Sequence, residues 1–201
     1  MKNLTIHELL KYLSQIDYIH PDDIPDIDLY MDQVITLMDR YLSSTKRHPD
    51  DKLITKTMIN NYVKDGLLPP PKKKKYTKEH VLTLAFIYYF KNILSISDIK
   101  KLLKPMVDEY FDGNGDLQPE EFYRAIFDMK YPFVHDLSKD LMKKYKLSEE
   151  TVESFGDLGE KEEEYLGKFT FICTLAADIY LKKLIIEYII DTMDDGKEEK
   201  G

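Results

Sequence analysis

The sequence predicts an all-α protein with at most a very short β-wing. Two observations predict it. Almost every periodic apolar segment repeats at helical spacing, and no run of useful length alternates with the period of a strand. The 201 residues suit one or two domains, either of which could bury a real core. The expected division is an N-terminal helical region, 1–110, and a C-terminal helical region, 111–201, which could also pack as one domain.

The elements follow in chain order. Thr5-x-x-Glu8 is a capping box for a helix carrying Leu9, Leu10, Leu13 and Ile16. The stretch HPDDIPDID is a Pro/Asp-rich connector. A second helix is expected from about Asp28 to Ser44, with Leu29, Val34, Leu37, Met38, Tyr41 and Leu42 apolar, and STKRHPDDK is a loop. A short third helix runs from about Thr55 to Asp65 and stops at Gly66, a residue suited to the position after a helix end. Three consecutive prolines forbid helix in LLPPPKKKKY.

Thr77 caps a fourth helix, VLTLAFIYYFKN, whose apolar character on nearly all sides marks a central buried helix. Ser97 starts a fifth helix that ends near Lys104 or a little beyond Pro105, and DGNGD is a turn. Pro119 suits a first helical position, with Glu120 and Glu121 in the first turn. A further helix is expected near His135 to Tyr145, and a last long one from about Glu162 to Thr192. The stretch Phe169 to Leu181 reads as core or as a dimer seam, with core preferred, and Leu184 to Ile190 could extend into a partner.

Composition narrows the function classes. Apolar residues are 43% and charged residues 33%, a globular rather than a disordered balance. No apolar stretch is long enough to span a bilayer, and MKNLTIHELLKYL is amphipathic without a signal-peptide core, so a cytoplasmic protein without membrane partners is expected. A single cysteine, Cys173, rules out an intramolecular disulfide and any multi-cysteine zinc site, and it reads as a small buried hydrophobe.

The net charge of −8 hides an asymmetry. Residues 52–104 hold twelve lysines against Asp65, Glu79 and Asp98, a local +9, which leaves −17 on the rest. A confined polyanion site explains such a segment, and so does a solvated basic face neutralised by acidic neighbours.

Residues 54–103 decide between them. On the third helix, Ile54, Met58, Ile59, Tyr62 and Val63 form one apolar face. Lys56, Asn60 and Lys64 line up on the other, with Thr57 and Asn61 beside them. Asn can bond adenine through two hydrogen bonds, Lys can reach guanine or phosphate, and Thr can contact phosphate or a thymine methyl. Lys72, Lys73, Lys74 and Lys75 then sit on a loop held extended by prolines. Such a loop clamps phosphates and adds affinity without reading sequence.

The order of these features resembles the DNA-binding domain of MerR-type winged-helix regulators over about 50 residues, within 28–104. The residues that carry the likeness are Asn61-Tyr62, Gly66-Leu67-Leu68-Pro69-Pro70, Lys72 to Lys75 with Tyr76, Thr77 to Phe90, and Ser97-Asp98-Ile99-Lys100-Lys101-Leu102-Leu103. The resemblance implies a winged-helix transcriptional regulator that reads double-stranded DNA as a homodimer. Lys56, Thr57, Asn60, Asn61 and Lys64 would be the reader face, Lys72 to Lys75 the clamp, and Tyr76 the wing's anchor. Asn60 stands where that family usually has Arg, Asn61 where it has the first of two aromatics, and no Arg lies between residues 48 and 123. The loop before the reader helix is also longer than such a turn usually is. The whole chain resembles a narrower bacterial family of unknown function, the YkrK-like proteins. That likeness rests on Asp28-Leu29-Tyr30-Met31-Asp32-Gln33, on Thr55 to Tyr62 and on the last long helix.

Other motifs are weaker. Asp112 to Leu117 imitates a calcium loop, but Glu121 falls too early for the bidentate ligand and Leu117 stands where the loop requires glycine. The histidines at 7, 20, 48, 80 and 135 form no metal motif, and neither nucleophile elbow nor phosphate loop is present. The expectation is therefore no enzyme, no metal and no cofactor, with any effector left open. The alternative reading is a helical protein-interaction module that keeps a winged-helix fold without reading DNA.

Overall fold

The computed structural model describes residues 5–111, 118–128 and 130–195, of which 110, 130–134, 194 and 195 are described by backbone alone. Helices dominate, and the described residues contain one two-stranded sheet, as the all-α expectation requires. The elements are α1 (Ile6–Ser14), β1 (Leu29–Tyr30), α2 (Met31–Tyr41), α3 (Lys56–Lys64), β2 (Lys75–Tyr76), α4 (Lys78–Phe90), α5 (Ile96–Tyr110), α6 (Pro119–Asp128), α7 (Lys130–Glu153) and α8 (Glu160–Asp195). The chain divides into two compact units.

The larger unit comprises Ile16–Asp128 with the residues from Ile190 onward. Its centre is α4, where every residue from His80 to Tyr88 is buried. Val34 and Met38 of α2, Ile59 and Tyr62 of α3, Ile99 and Leu103 of α5 and Tyr123 of α6 complete the core. Phe86, Phe127, Tyr123 and Tyr18 form an aromatic cluster, with Tyr123 and Phe127 stacked at 4.3 Å between ring centroids. Arg124 of α6 forks both guanidinium nitrogens onto Asp22, at 2.9 and 3.0 Å, and also bonds Glu120.

Several boundaries differ from expectation, and the helix expected near His135 to Tyr145 spans Lys130–Glu153. The second helix begins at Met31 and not at Asp28, because Leu29 and Tyr30 pair antiparallel with Tyr76 and Lys75. The strand ends where the Gln33 carboxamide accepts the Tyr30 N–H at 2.8 Å, which opens the helix. The fifth helix starts at Ile96, one residue earlier than expected. Ser95 caps it by accepting the Asp98 N–H at 3.1 Å, and it continues through Pro105 to Tyr110. One missing hydrogen bond at Pro105 is outweighed by the buried face that Ile99 and Leu103 supply.

The smaller unit comprises Met1–Gln15 and Met129–Ile189, and here α1 packs on α7. The Thr5–Glu8 capping box is present, with the Thr5 N–H donating to Glu8 at 3.0 Å. Leu141, Val152 and Phe171 are its buried apolar side chains among the described residues. The apolar density of Phe169 to Leu181 favours core, and the structure corrects that expectation. Phe169, Ile172, Ile179, Tyr180 and Leu181 are all more than half exposed. Cys173 is exposed as well. The DGNGD segment and its calcium-like motif fall at 112–117, outside the described residues.

Candidate nucleic-acid interface

Short-range chemistry fixes both ends of α3. The Thr55 hydroxyl accepts the Met58 N–H at 3.2 Å. At the other end Gly66 takes φ +68°, where a side chain would be strained. The Leu67 and Leu68 N–H groups turn back to the Tyr62 carbonyl at 2.8 and 3.1 Å. Leu67 and Leu68 are buried, and the Lys100 ammonium donates to the Asp65 carbonyl at 2.7 Å. The segment entering α3 is held in the same way, by the Lys91 ammonium on the Leu53 carbonyl at 2.7 Å. Burial pushes the Lys91 pKa below its ordinary value, and its ammonium also lies 4.8 Å from the centre of the Tyr88 ring.

With Ile59 and Tyr62 buried, the opposite face of α3 turns outward. Lys56, Thr57, Asn60, Asn61 and Lys64 are all exposed. The stripe read from helical spacing is therefore one surface of one rigid, capped helix. Spacing along the chain does not reveal one pairing: the Lys56 ammonium meets Asp32 of α2 at 2.7 Å, both groups being open to solvent.

The lysine loop closes as a two-residue hairpin turn. The Lys75 N–H donates to the Lys72 carbonyl at 3.0 Å, and Lys73 and Lys74 both take left-handed backbone, φ +51° and +65°. Two consecutive positive φ angles mark the primed hairpin turn, which favours Asn-Gly and strains two side-chain-bearing residues. Lys73 and Lys74 thus occupy the tip, exposed together with Lys72. Lys75 is half-buried and leans over the Tyr30 ring at 5.6 Å.

Tyr76 is buried, and burial raises its phenol pKa above the ordinary value. It pairs with Leu29 in the sheet, so it anchors the arm and does not form part of a contact surface. Behind it, His80 stands edge-on to Tyr76 and Phe111, with its Nδ1 accepting the Thr77 N–H at 3.0 Å. That bond selects the neutral ring with its proton on Nε2. Nε2 is buried and meets no hydrogen-bond partner among the described residues. Burial holds the His80 pKa below the ordinary imidazole value, against the opposing pull of Glu79, of the Pro69 and Pro70 carbonyls and of Asp28.

No group of His, Cys, Asp and Glu able to hold a metal occurs among the described residues, and none of the described helices is long and apolar enough to cross a membrane.

Comparison with known proteins gives one match. A family described as a domain of unknown function, DUF1836, covers residues 19–126, nearly the span of the larger unit and more than half of the chain. No curated protein and no solved structure matches. The expected kinship with an uncharacterised family is thereby supported, and the match adds nothing on MerR kinship. The capped helix with its polar stripe, the strained lysine turn and the buried helix behind them all lie inside the matched region, and the chain belongs to this family.

Proposed function

We propose that the chain is a sequence-specific DNA-binding protein acting as a bacterial transcriptional regulator. The observation that carries the reading is the simultaneous exposure of Lys56, Thr57, Asn60, Asn61 and Lys64 on a helix whose other face is buried. This helix would enter a major groove, with Asn60 and Asn61 bonding base edges and Lys56 and Lys64 reaching guanine or phosphate. Lys72, Lys73 and Lys74 on the tight turn would neutralise phosphates of the flanking backbone. The pairing of the arm before α2 with the arm after the turn suits a winged helix of the MerR type, in which a wing follows the reader helix. A single short reader helix has limited affinity, so a homodimer on two half-sites is part of the proposal.

Capture of fragmented genomic DNA by the purified protein, with sequencing of what is retained, tests it. The expected result is a recurrent, palindromic site, lost in a Lys56→Ala/Asn60→Ala/Lys64→Ala variant that keeps its fold because all three side chains are exposed. Affinity should fall linearly with the logarithm of salt concentration. Replacing Lys72, Lys73 and Lys74 by Ala should reduce that slope by up to about 0.9 for each phosphate that is no longer neutralised. Retention of DNA without any recurrent sequence, washed off near physiological salt, refutes the regulator reading. The second reading, a protein-interaction module, draws on Asp32, which sets a carboxylate against the reader face where phosphates would have to approach.

A further inference from the structure

We infer that the exposed apolar face of α8 between Phe169 and Tyr188 is a docking surface for a second copy of this chain. On the helix, Cys173, Ala177, Tyr180, Leu184 and Tyr188 recur at intervals of four, three, four and four residues, so they share one face. Phe169, Leu181 and Ile185 flank them. Tyr188 is 72% exposed, and Tyr180 and Leu181 are each 60% exposed. Phe169, Tyr180, Leu181, Ile185 and Tyr188 are each more than half exposed, enough bulk to supply the share of about 800 Å² that one partner brings to a stable interface.

Three considerations make the occupant another copy. The first is the small core of the unit that owns the face: Leu141, Val152 and Phe171 are its buried apolar side chains among the described residues. Further apolar burial along α8 would add to the stability of a unit built on two such long helices. The second is charge. The chain carries −8, so two copies repel, yet residues 165–193 hold three lysines and three acids. Within the stretch Lys182 is tied to Asp178 at 2.8 Å and Lys183 to Glu187, while Lys168 pairs with Glu164, one residue before it, at 2.5 Å. A neutral stripe on an acidic molecule is where like can meet like. The third is shape. Cys173 and Ala177 are small residues on the seam that let two helix backbones approach closely, while Tyr180, Leu184 and Tyr188 supply the bulk.

The inference rests on the exposure of α8 and not on DNA reading, although it supplies the dimer that reading calls for. Sedimentation equilibrium of the full chain tests it, beside a Leu181→Glu/Leu184→Glu variant and a Leu147→Glu control. Leu147 is an exposed apolar residue on α7, outside the proposed seam. Wild type and control should sediment at about 47 kDa, twice the 23.7 kDa chain, and the double variant at the chain mass with its helical circular dichroism retained. Cys173 should react with maleimide several-fold faster in the variant than in wild type, because the dimer covers it. A wild type that sediments as a monomer overturns the inference, whether α8 is then covered by the rest of its own chain or by another protein. So does a dimer that survives the double substitution, or one in which Cys173 labels at the monomer rate. A monomer that still captures a recurrent DNA site overturns the inference and the homodimer part of the DNA proposal but leaves its base reading standing, while a dimer that captures none keeps the inference and refutes the DNA reading.

Discussion

Two helices of this protein, α4 and α8, look alike in sequence and fare oppositely in structure. Each carries a dense apolar run, VLTLAFIYYF in one and FTFICTLAADIYL in the other. In α4 every residue from His80 to Tyr88 is buried. In α8 only Phe171 and Ile190 are buried among the described residues. An apolar run states that a helix must be covered, but not that its own chain will cover it. α4 lies among α2, α6 and β2, whereas within its unit α8 buries only Phe171 among the described residues.

The largest effect separates these two helices. Ile87→Ala should cost about 3 kcal/mol in denaturant unfolding, since a fully buried methyl-bearing side chain leaves a cavity. Ile185→Ala, placed in the Leu181→Glu/Leu184→Glu monomer, should stay within about 0.5 kcal/mol of that parent, because the side chain already faces water. Equal costs at the two positions would break the comparison, by showing α8 buried after all.

A second effect is confined to the α4 side. His80 is held neutral by burial, with a folded pKa below its unfolded value, so the unfolded chain takes up its proton first. Stability should be complete above about pH 6.5 and fall as pH drops below that value toward the folded pKa. His80→Gln keeps a side-chain acceptor for the Thr77 N–H and removes the titration, so its thermal midpoint should vary less with pH over this window. An identical pH profile in the variant would assign the acid sensitivity elsewhere, with the Arg124–Asp22–Glu120 group the next to test. There hydrogen bonds from Arg124 to Asp22, and from Lys78 and Arg124 to Glu120, hold both carboxyl pKa values low. That group's contribution is present above the ordinary carboxylate range and is lost only as pH falls through the lowered values.

What is legible in the sequence follows the same division. The Thr5 cap, the Gly66 stop and the two faces of α3 can be read because each depends on residues three to eight positions apart. The strand at Leu29–Tyr30 cannot, since a two-residue pairing is decided by a partner at Lys75–Tyr76, far along the chain. Nor can the fate of Cys173, which turns on what lies opposite α8 and not on the periodicity of α8 itself. At the candidate interface helical spacing identifies the exposed residues but not their cross-element partners. Those are the Asp32 carboxylate on Lys56 and the Lys100 ammonium on the end of α3, and the strain at Lys73 and Lys74 is equally hidden.

That strain yields a smaller effect with two signs. Lys73→Asn/Lys74→Gly places the favoured pair in a turn that already has the required backbone, and should stabilise the fold by about 1 kcal/mol. The same change removes two cations from the tip and should weaken DNA capture and flatten its salt dependence. A variant that is stabilised and keeps its full DNA affinity would mean that the turn does not touch phosphate.

The smallest effect concerns Asp32, the carboxylate paired with Lys56. Asp32 and Lys56 are 73% and 61% exposed, and a pair so open to solvent contributes at most about 1 kcal/mol to stability, so Asp32→Asn should hardly move the thermal midpoint. Its effect on DNA should be opposite in sign to that of every lysine substitution. Removing the carboxylate takes away a charge that repels phosphate and releases the Lys56 ammonium, so capture should strengthen and the salt slope should steepen. If Lys56 instead serves a protein partner through the Asp32 pair, the same substitution leaves DNA capture unchanged. A titration of labelled DNA in two salt concentrations distinguishes the outcomes. Because the fold is untouched, a change in either direction reports on the face itself.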